Sequence, residues 1–273
     1  MSGFTELDGK VAVVTGGASG IGYGIAGQLA REGMQVVIAD IEQAALDKAC
    51  NEIDAYGVRT DVRDPASVQA LADATLDKFG GVHVVVNNAG VGPFARVADL
   101  DLSDWHWMLE VNLWGVIHGV HTFLPLLNKN PEGGHIVNTA SIGGFASFPG
   151  LGAYAVSKFG IVALTETLAQ ELAEEQSKVG ASILLPGTVR TNIKNSSRNR
   201  PADLAGGHLT DVDLEGSPGH GMQWLEPEDV GRIVVGGIRS GDLYIVTHPE
   251  AWPQVEARLK TIADAFERAA KNQ

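Results

Sequence analysis

Short apolar runs alternate with longer stretches of helical periodicity along most of the chain. Runs of this length, rich in Val and Ile, are typical of buried strands. The alternation predicts a doubly wound, Rossmann-type α/β fold, with a mostly parallel seven-stranded sheet and helices on both faces. The predicted strands cover residues 10–14, 35–39, 57–60, 82–86, 134–140, 181–185 and 243–246.

One segment, residues 192–226, interrupts this alternation. It is rich in Gly, Pro, Ser, Asn and Asp, and it precedes a helix that starts near Pro227. A loop of this length is functional or disordered, so we interpret it as a substrate lid. An amphipathic helix is predicted over residues 253–271, where it would cover the substrate cleft or a subunit interface. No change in composition divides the chain, and we expect residues 1–273 to form a single domain.

Composition limits the classes of function. The chain has 273 residues, of which 44% are hydrophobic, so it can bury a full core. The net charge of -13 and the lack of a basic tract argue against nucleic-acid binding. Cys50 is the only cysteine, which excludes an intrachain disulfide. Without a leader-like N-terminus or an apolar stretch of about 18 residues, we expect a cytoplasmic protein that does not enter membranes.

A glycine-rich turn follows the first predicted strand and opens a helix. Glycines at such a turn let the backbone approach a pyrophosphate, whose charge the helix N-terminus favours. A second pattern, Gly22, Gly24 and Gly27, has G-x-G-x-x-G spacing, but its last two glycines fall inside the helix, where close packing on the sheet explains them better. The residues predicted to bind nucleotide phosphates are Gly16, Ser19, Gly20, Ile21 and Gly22.

Acidic residues follow the second and third predicted strands. Asp40 lies about 20 residues beyond the glycine turn, where a carboxylate can accept hydrogen bonds from the adenosine ribose of NAD and repel the 2′-phosphate of NADP. No Arg or Lys follows before Lys48, so NAD is favoured. Asp61 suits a contact with adenine, and Ile41 and Val62 are assigned to the same nucleotide site. Helix capping is the alternative for each aspartate.

Ser141, Tyr154 and Lys158 form the spacing Ser-x12-Tyr-x3-Lys. Tyr154 and Lys158 share one face of a helix predicted over residues 153–172, one turn apart. A nearby ammonium is expected to lower the pKa of the phenol from about 10, which suits proton exchange with an alcohol. Ser141 follows the fifth predicted strand, where its hydroxyl can polarise the same substrate oxygen. Taken alone, the Tyr-x3-Lys spacing is common on helix surfaces.

Together these motifs resemble those of the short-chain dehydrogenases/reductases over residues 10–246. The resemblance implies that Tyr154 is the general acid/base, that Ser141 orients the reacting oxygen, and that Lys158 also binds the nicotinamide ribose. Asn112 would hold a proton-relay water; a buried, helix-bending amide is the alternative. Further residues of the cofactor cleft, by the same resemblance, are Asn88, Ala89, Gly90, Pro186, Gly187, Val189 and Thr191.

The resemblance implies an NAD-dependent enzyme that transfers hydride reversibly between a secondary alcohol and NAD. No metal is expected, since His118 and His121 lack a nearby acidic partner in the sequence. An NADPH-linked biosynthetic ketoreductase and a non-catalytic NAD-binding regulator are the alternatives. In this family, helices such as those at residues 103–127 and 154–175 pack across a two-fold axis, so we expect a homodimer or homotetramer.

The candidate substrate pocket is apolar and aromatic. This character favours a bulky, mainly hydrophobic alcohol or ketone, either aryl or alicyclic. Arg198 and Arg200, in the predicted lid, can meet a substrate carboxylate, but solvated surface charges are the simpler interpretation. The candidate pocket residues are Ile142, Gly143, Phe145, Phe148, residues 91–94 and the loop of residues 192–226, with Met222 and Trp224.

Overall fold

Seven parallel strands form one sheet in the order β3-β2-β1-β4-β5-β6-β7. The structure is a computed structural model that describes residues 3–213 and 222–272. The predicted fold class is confirmed, and each predicted strand is present with its ends shifted by at most two residues. The strands are β1 Val11–Thr15, β2 Gln35–Asp40, β3 Tyr56–Arg59, β4 Val84–Asn87, β5 Gly134–Thr139, β6 Val179–Leu185 and β7 Tyr244–Val246.

Helices cover both faces of the sheet. Along β1, Ala12 and Val14 pack in one apolar cluster with α1 and α7, while Val11 and Val13 pack in another with α3, α5 and α6. This alternation explains why the strand is apolar at every position, as strands buried on both faces are. The helices are α1 Gly20–Arg31, α2 Gln43–Ile53, α3 Pro65–Phe79, α4 Leu102–Leu109, α5 Gly115–Leu127, α6 Gly152–Glu174, α7 Pro227–Ser240 and α8 Trp252–Lys271.

The strand order reverses at β1, which pairs with β2 on one side and β4 on the other. At such a switch point the loops after neighbouring strands turn in opposite directions and leave a crevice at the carboxyl edge of the sheet. The glycine turn follows β1, Asp40 ends β2, Asn88 follows β4, and Ser141 lies just beyond β5. The topology therefore collects the predicted site residues at one edge.

The helix predicted over residues 103–127 is divided into three parts. A π-turn, Glu110–Trp114, separates α4 from α5 and contains the fully buried Asn112. The side-chain amide of Asn112 bonds to the backbone of Val91, outside the helix. π-turns of this kind are frequent at functional sites. The alternative interpretation of Asn112 as a buried, helix-bending amide therefore describes its local structure.

The glycines inside α1 pack against another helix, and the predicted packing on the sheet was wrong for Gly24. A Cβ at Gly24 would overlap the backbone carbonyl of Pro227 at the start of α7, and one at Gly231 would overlap the carbonyl of Gly24. Gly27 has more room, since its nearest neighbour would be Ile53 at 3.8 Å. Small residues thus bring α1 and α7 together on one face of the sheet.

Short helical turns occupy part of the predicted lid. They cover Asn192–Asn199 and Ala202–Leu204, while residues 214–221 of that prediction lie outside the described residues. The C-terminal helix is present as α8, one residue longer at its start than predicted. Within residues 3–213 and 222–272, no helix combines the length and hydrophobicity needed to cross a bilayer.

Candidate active site

A cavity of about 660 Å³ opens at the carboxyl edge of the sheet. Of the residues predicted from the sequence to be catalytic or to bind the cofactor, only Gly22 and Asn112 do not line it. The predicted residues that line the cavity are Gly16, Ser19, Gly20, Ile21, Asp40, Ile41, Asp61, Val62, Asn88, Ala89, Gly90, Ser141, Tyr154, Lys158, Pro186, Gly187, Val189 and Thr191.

The glycine turn has a backbone that only glycine adopts easily. Gly16 and Gly20 have φ values of +62° and +53°, and a Cβ at Gly16 would lie 2.8 Å from Cα of Ala89. Ser19 is the N-cap of α1, and within the described part of the chain its side chain makes no capping hydrogen bond and the first turn holds no acidic residue. The first N–H groups of α1 are therefore available to an anionic phosphate, so the turn fits the pyrophosphate of a dinucleotide.

Asn88 holds this turn from the neighbouring strand. Its Nδ2 donates to the carbonyl oxygens of Thr15 at 3.0 Å and Gly16 at 3.3 Å. Its backbone N–H donates to Oγ1 of Thr15 at 2.9 Å. Gly22 packs against the same amide, 2.5 Å from where its Cβ would lie. Gly22 therefore leaves room for the Asn88 side chain, although it does not line the cavity itself.

Asp40 connects the glycine turn to the loop after β2. Its Oδ2 accepts a hydrogen bond from the Ala18 N–H at 3.2 Å, and Oδ1 accepts one from the Glu42 N–H at 3.1 Å. Burial raises the pKa of this carboxyl above its ordinary value. Glu42, rather than Asp40, is the N-cap of α2. The Asp40 carboxylate is held rigidly at the cavity wall, where ribose hydroxyls can donate to it.

Asp61 is not a helix cap, because Asp64 caps α3 and accepts from the Ala66 N–H at 2.9 Å. Asp61 instead pairs with Arg63, whose Nη2 lies 2.6 Å from Oδ2. The neighbouring Val62 carbonyl accepts a hydrogen bond from Nδ1 of His118 at 2.9 Å. The backbone at Asp61 and Val62 is thereby fixed at the cavity rim.

Ser141, Tyr154 and Lys158 converge at the inner end of the cavity. Nζ of Lys158 lies 5.4 Å from the centroid of the Tyr154 ring and donates to the Thr139 carbonyl at 3.0 Å. Oγ of Ser141 accepts from the Gly143 N–H at 3.0 Å. A Cβ at Gly143 would lie 3.3 Å from the Tyr154 ring and 3.4 Å from this oxygen. The hydroxyl, the phenol and the amine are thus within one small volume.

The protein around these groups changes their pKa values. Desolvation raises the pKa of Tyr154, and a hydrogen bond with Ser141 acts in the opposite direction. This is the reverse of the shift expected from the Tyr-x3-Lys spacing. Burial lowers the pKa of Lys158 to about 7, so only part of the protein molecules carry a protonated Lys158 near neutral pH. The sequence reveals the proximity of the two side chains but not the loss of water around them.

Asn112 supports the site from outside the cavity. Its Oδ1 accepts from the Val91 N–H at 2.8 Å, and its Nδ2 donates to the Val91 carbonyl at 2.9 Å. Nδ2 also lies 3.3 Å from Oγ of Ser157, which in turn donates to the backbone carbonyl of Tyr154 at 2.6 Å. Asn112 therefore links the loop after β4 to the helix that carries Tyr154 and Lys158.

The loop after β6 is held by His248, which the sequence analysis did not identify. The fully buried imidazole accepts from the Gly187 N–H at 3.0 Å through Nδ1. Its Nε2 donates to the carbonyl oxygens of Gln223 at 2.9 Å and Thr188 at 3.1 Å. His248 follows the edge strand β7, and no motif marks it. It joins the loop of Pro186, Gly187 and Val189 to the far end of the lid.

The outer end of the cavity is largely apolar. Predicted pocket residues that line it are Val91, Gly92, Phe94, Ile142, Gly143, Phe148 and Met222, whereas Pro93, Phe145 and Trp224 do not. Phe145 packs edge-on against Tyr244, with ring centroids 5.9 Å apart. Ile193, in the loop predicted to contribute to the pocket, lines the cavity, whereas the lining residues Trp107, Val111, Leu151 and Gln254 were not predicted from the sequence. Gln254 belongs to α8, so the C-terminal helix reaches the cavity.

Comparison with known proteins identifies the family. Residues 10–202 match the family model of the short chain dehydrogenases. The chain belongs to this family. It is therefore an oxidoreductase of the NAD(P)-dependent alcohol dehydrogenase/reductase type. A similar structure is a short chain dehydrogenase/reductase from Burkholderia phymatum in complex with NAD, at 39% identity and a TM-score of 0.89, covering 95% of this chain and 96% of that one.

Two curated relatives carry more specific names. A C alpha-dehydrogenase from Sphingobium sp. strain SYK-6 is 32% identical over 271 residues, which span 95% of this chain and 87% of the relative. A 1-deoxy-11-beta-hydroxypentalenate dehydrogenase from Streptomyces avermitilis is 38% identical over 193 residues, or 68% of this chain and 71% of the relative. Both are dehydrogenases.

Proposed function

We propose that this enzyme oxidises a bulky, mainly hydrophobic secondary alcohol, aryl or alicyclic, with NAD, and reduces the corresponding ketone in reverse. The observation that carries the proposal is the meeting of Ser141, Tyr154 and Lys158 in the cavity that the glycine turn also lines. Acid-base groups and a phosphate-binding turn in one cavity suit coupled transfer of a proton and a hydride. NAD, when bound, would accept or supply the hydride.

The chain offers a matching surface to each part of NAD. The first turn of α1 would hold the pyrophosphate, Asp40 the adenosine ribose, and Asp61 and Val62 the adenine. Lys158, Gly187, Val189 and Thr191 would hold the nicotinamide end. The NAD-bound relative from Burkholderia phymatum supports this choice of cofactor. The charge of Asp40 disfavours the 2′-phosphate of NADP.

Ser141 and Tyr154 would act on the substrate oxygen. The Ser141 hydroxyl is oriented by the Gly143 N–H and can donate to that oxygen, which polarises it. Tyr154 in its phenolate form would take the proton of the alcohol during oxidation, and its hydroxyl would give that proton back to the oxygen during reduction. The ammonium form of Lys158, 5.4 Å from the ring centroid, favours the phenolate electrostatically. Asn112 would keep the Val91 loop and the Tyr154 helix in register.

The shape and polarity of the outer cavity support the substrate class. Side chains such as Phe94, Trp107, Phe148 and Met222 line it, so a substrate gains binding energy by burying rings or alkyl groups. Neither lid arginine is presented to a substrate carboxylate, since Arg198 pairs with Glu42 and Arg200 with Asp104. A neutral substrate fits this environment best.

We also propose that the protein is a homodimer or homotetramer acting as a single-domain catalytic unit. Large apolar side chains are exposed on α4 and the π-turn, where Leu102 is 77% and Trp114 50% exposed, and on α8, where Phe266 is 75% exposed. Burying such side chains between copies would be favourable. A cytoplasmic location stays a prediction from the sequence.

The proposed function is tested by following NADH absorbance while the protein is given NAD and a panel of neutral secondary alcohols. We expect turnover with aryl or alicyclic members and a fall of at least about 100-fold in Tyr154→Phe, with NADH binding retained. Tyr23→Phe is the matched control, because the Tyr23 hydroxyl bonds to Glu52 and Tyr23 does not line the cavity, and this variant should turn over normally. Undiminished turnover in Tyr154→Phe would remove Tyr154 from the mechanism.

A further inference from the structure

The two lid arginines pair with carboxylates on different elements, and of the two only Arg198 lines the cavity. Arg200 points to α4, where Nη1 lies 2.5 Å from Oδ1 of Asp104, and both side chains are almost fully buried. Arg198 points to the loop after β2, where Nη2 lies 2.6 Å from Oε1 of Glu42 and Nε lies 3.3 Å from Oε2. Glu42 is two residues beyond Asp40. Arg198 therefore brings a guanidinium to the ribose end of the site.

The pair of Glu42 and Arg198 lies on the cavity wall itself. Both residues line the cavity together with Asp40 and Asn199, and the Asn199 amide also donates to Oε1 of Glu42 at 2.9 Å. Arg198 and Asn199 hold the pKa of Glu42 below its ordinary value, so the carboxylate is charged at neutral pH. The third guanidinium nitrogen of Arg198, Nη1, donates to the Asn195 carbonyl at 2.6 Å and to the Asn192 carbonyl at 3.4 Å. Each nitrogen of the guanidinium thus has an acceptor within the protein.

Two other arginines lie near this end of the site. Arg63 is paired with Asp61 at 2.6 Å, whereas Arg59 donates through Nε to the Ile41 carbonyl at 3.3 Å. A 2′-phosphate needs a free arginine or lysine in this position. Arg63 and Arg198 line the cavity, and both have their charges paired with carboxylates. The pair of Arg198 and Glu42 is the more readily broken of these two, because its side chains are 39% and 34% exposed, against 22% and 29% for Arg63 and Asp61.

We propose that Glu42 is a second determinant of the preference for NAD, which acts by holding Arg198 away from the 2′ position. Asp40 repels a 2′-phosphate directly, whereas Glu42 occupies the guanidinium that would otherwise bind it. This inference rests on the proposed function, because the preference for NAD belongs to it. Replacing Asp40 alone removes the repulsion but leaves Arg198 engaged. Replacing both carboxylates frees a bidentate phosphate ligand.

The test measures dissociation constants of NADH and NADPH by protein fluorescence quenching, without any substrate. The variants are Asp40→Ser, Asp40→Ser with Glu42→Gln, and the same pair with Arg198→Met. We expect Glu42→Gln to tighten NADPH binding about tenfold over Asp40→Ser alone, and Arg198→Met to abolish that gain. Asp40→Asn provides a second background, since its amide oxygen can still accept the Ala18 N–H.

A matched control separates this effect from a general change in charge. Glu32 pairs with Arg239 at 2.6 Å on another surface, and Glu32→Gln in the Asp40→Ser background should leave NADPH affinity unchanged. The inference is overturned if Glu42→Gln gives no gain over this control, or if the gain survives Arg198→Met. It is overturned together with the proposed cofactor if the wild type prefers NADPH to NADH. Retained NADH binding in Glu42→Gln alone verifies that the site still folds.

Discussion

The ammonium nitrogen of Lys158 lies 5.4 Å from the centre of the Tyr154 ring, inside a site where burial shifts both pKa values away from the ionised forms. The phenol is therefore held protonated more firmly than a free tyrosine, and the lysine loses its charge at a lower pH than a free lysine. Desolvation raises the pKa of the phenol, whereas a nearby positive charge lowers it. This relationship affects both the pH dependence of catalysis and the pH dependence of stability.

The first prediction concerns the pH dependence of catalysis. In the proposed mechanism, oxidation needs Tyr154 without its proton and reduction needs Tyr154 with it, and burial raises the pKa of Tyr154. Below that pKa we expect kcat/KM for alcohol oxidation to rise about tenfold per pH unit while kcat/KM for ketone reduction stays flat. Steady-state rates in both directions from pH 6 to 10 provide the measurement. A flat oxidation profile with falling reduction would contradict the assignment.

The second prediction concerns stability. The folded-state pKa of Lys158 is about 7, below its ordinary value of 10.5, so the unfolded chain binds more protons between these values and stability rises with pH there. Lys158→Met removes the cost of burying the charge, on the order of a few kcal/mol. We expect the variant to gain most over wild type below pH 7 and progressively less toward pH 10. Urea unfolding across this range measures the difference.

Lys48→Met is the control for that series, because Lys48 is exposed on α2. Its effect on the free energy of unfolding should not vary with pH. If the effect of Lys158→Met on the free energy of unfolding were also independent of pH, the pKa of Lys158 would not be lowered in the folded protein. The variant also loses the hydrogen bond to the Thr139 carbonyl. This loss lowers the free energy of unfolding by the same amount at every pH, so it does not change the dependence on pH.

A third prediction separates support of the site from support of the fold. Asn112→Ala leaves the N–H and carbonyl of Val91 without their partner and should cost about 2 to 4 kcal/mol of unfolding free energy. It should also lower kcat, because Val91 and Tyr154 lose their link. Asn138→Ala is the matched control, since this buried amide bonds to Asn87 and Thr165 away from the cavity. It should lose stability with little change in kcat. Equal losses of kcat would contradict the proposed link.

A fourth prediction concerns the anchor of the lid on α4. Arg200→Met leaves the buried Asp104 carboxylate without its cation and should destabilise the protein by about 3 kcal/mol. The exposed Arg239, paired with Glu32, should cost less than about 1 kcal/mol when changed to Met. Urea unfolding gives both values. Limited proteolysis should cut Arg200→Met faster near residues 200–210. Similar stability losses for the two variants would contradict an anchoring role.

The sheet was predictable because each strand is a short apolar run bounded by polar or glycine-rich sequence. The error at β6 is instructive: the strand starts at Val179, two residues early, where Val179 and Gly180 pair with Gly134 and His135. Lys178 and Gly180 look like a loop in isolation. Val179 and Gly180 are in the strand because they pair with β5, and the sequence of β6 alone does not reveal that pairing.

The site was predictable wherever a short motif fixes local geometry, as for the glycine turn and for Tyr154 and Lys158. Contacts between distant segments were not. Arg198 lies 156 positions from Glu42, and Arg200 lies 96 positions from Asp104. Both arginines look like solvated charges because the carboxylates that pair with them lie on distant segments of the chain. The direction of the Tyr154 pKa shift was wrong for a related reason, since desolvation depends on the whole fold.

The π-turn at Glu110–Trp114 changes which side chains of α4 and α5 lie on the same face. Such a turn holds one more residue than an α-helix would, so the side chains beyond it are rotated by about 100° relative to those before it. A single helical wheel drawn through residues 102–127 assigns the wrong azimuth to every position of α5. Two wheels with separate origins are needed, and mutations designed to disrupt a subunit contact should be chosen from those.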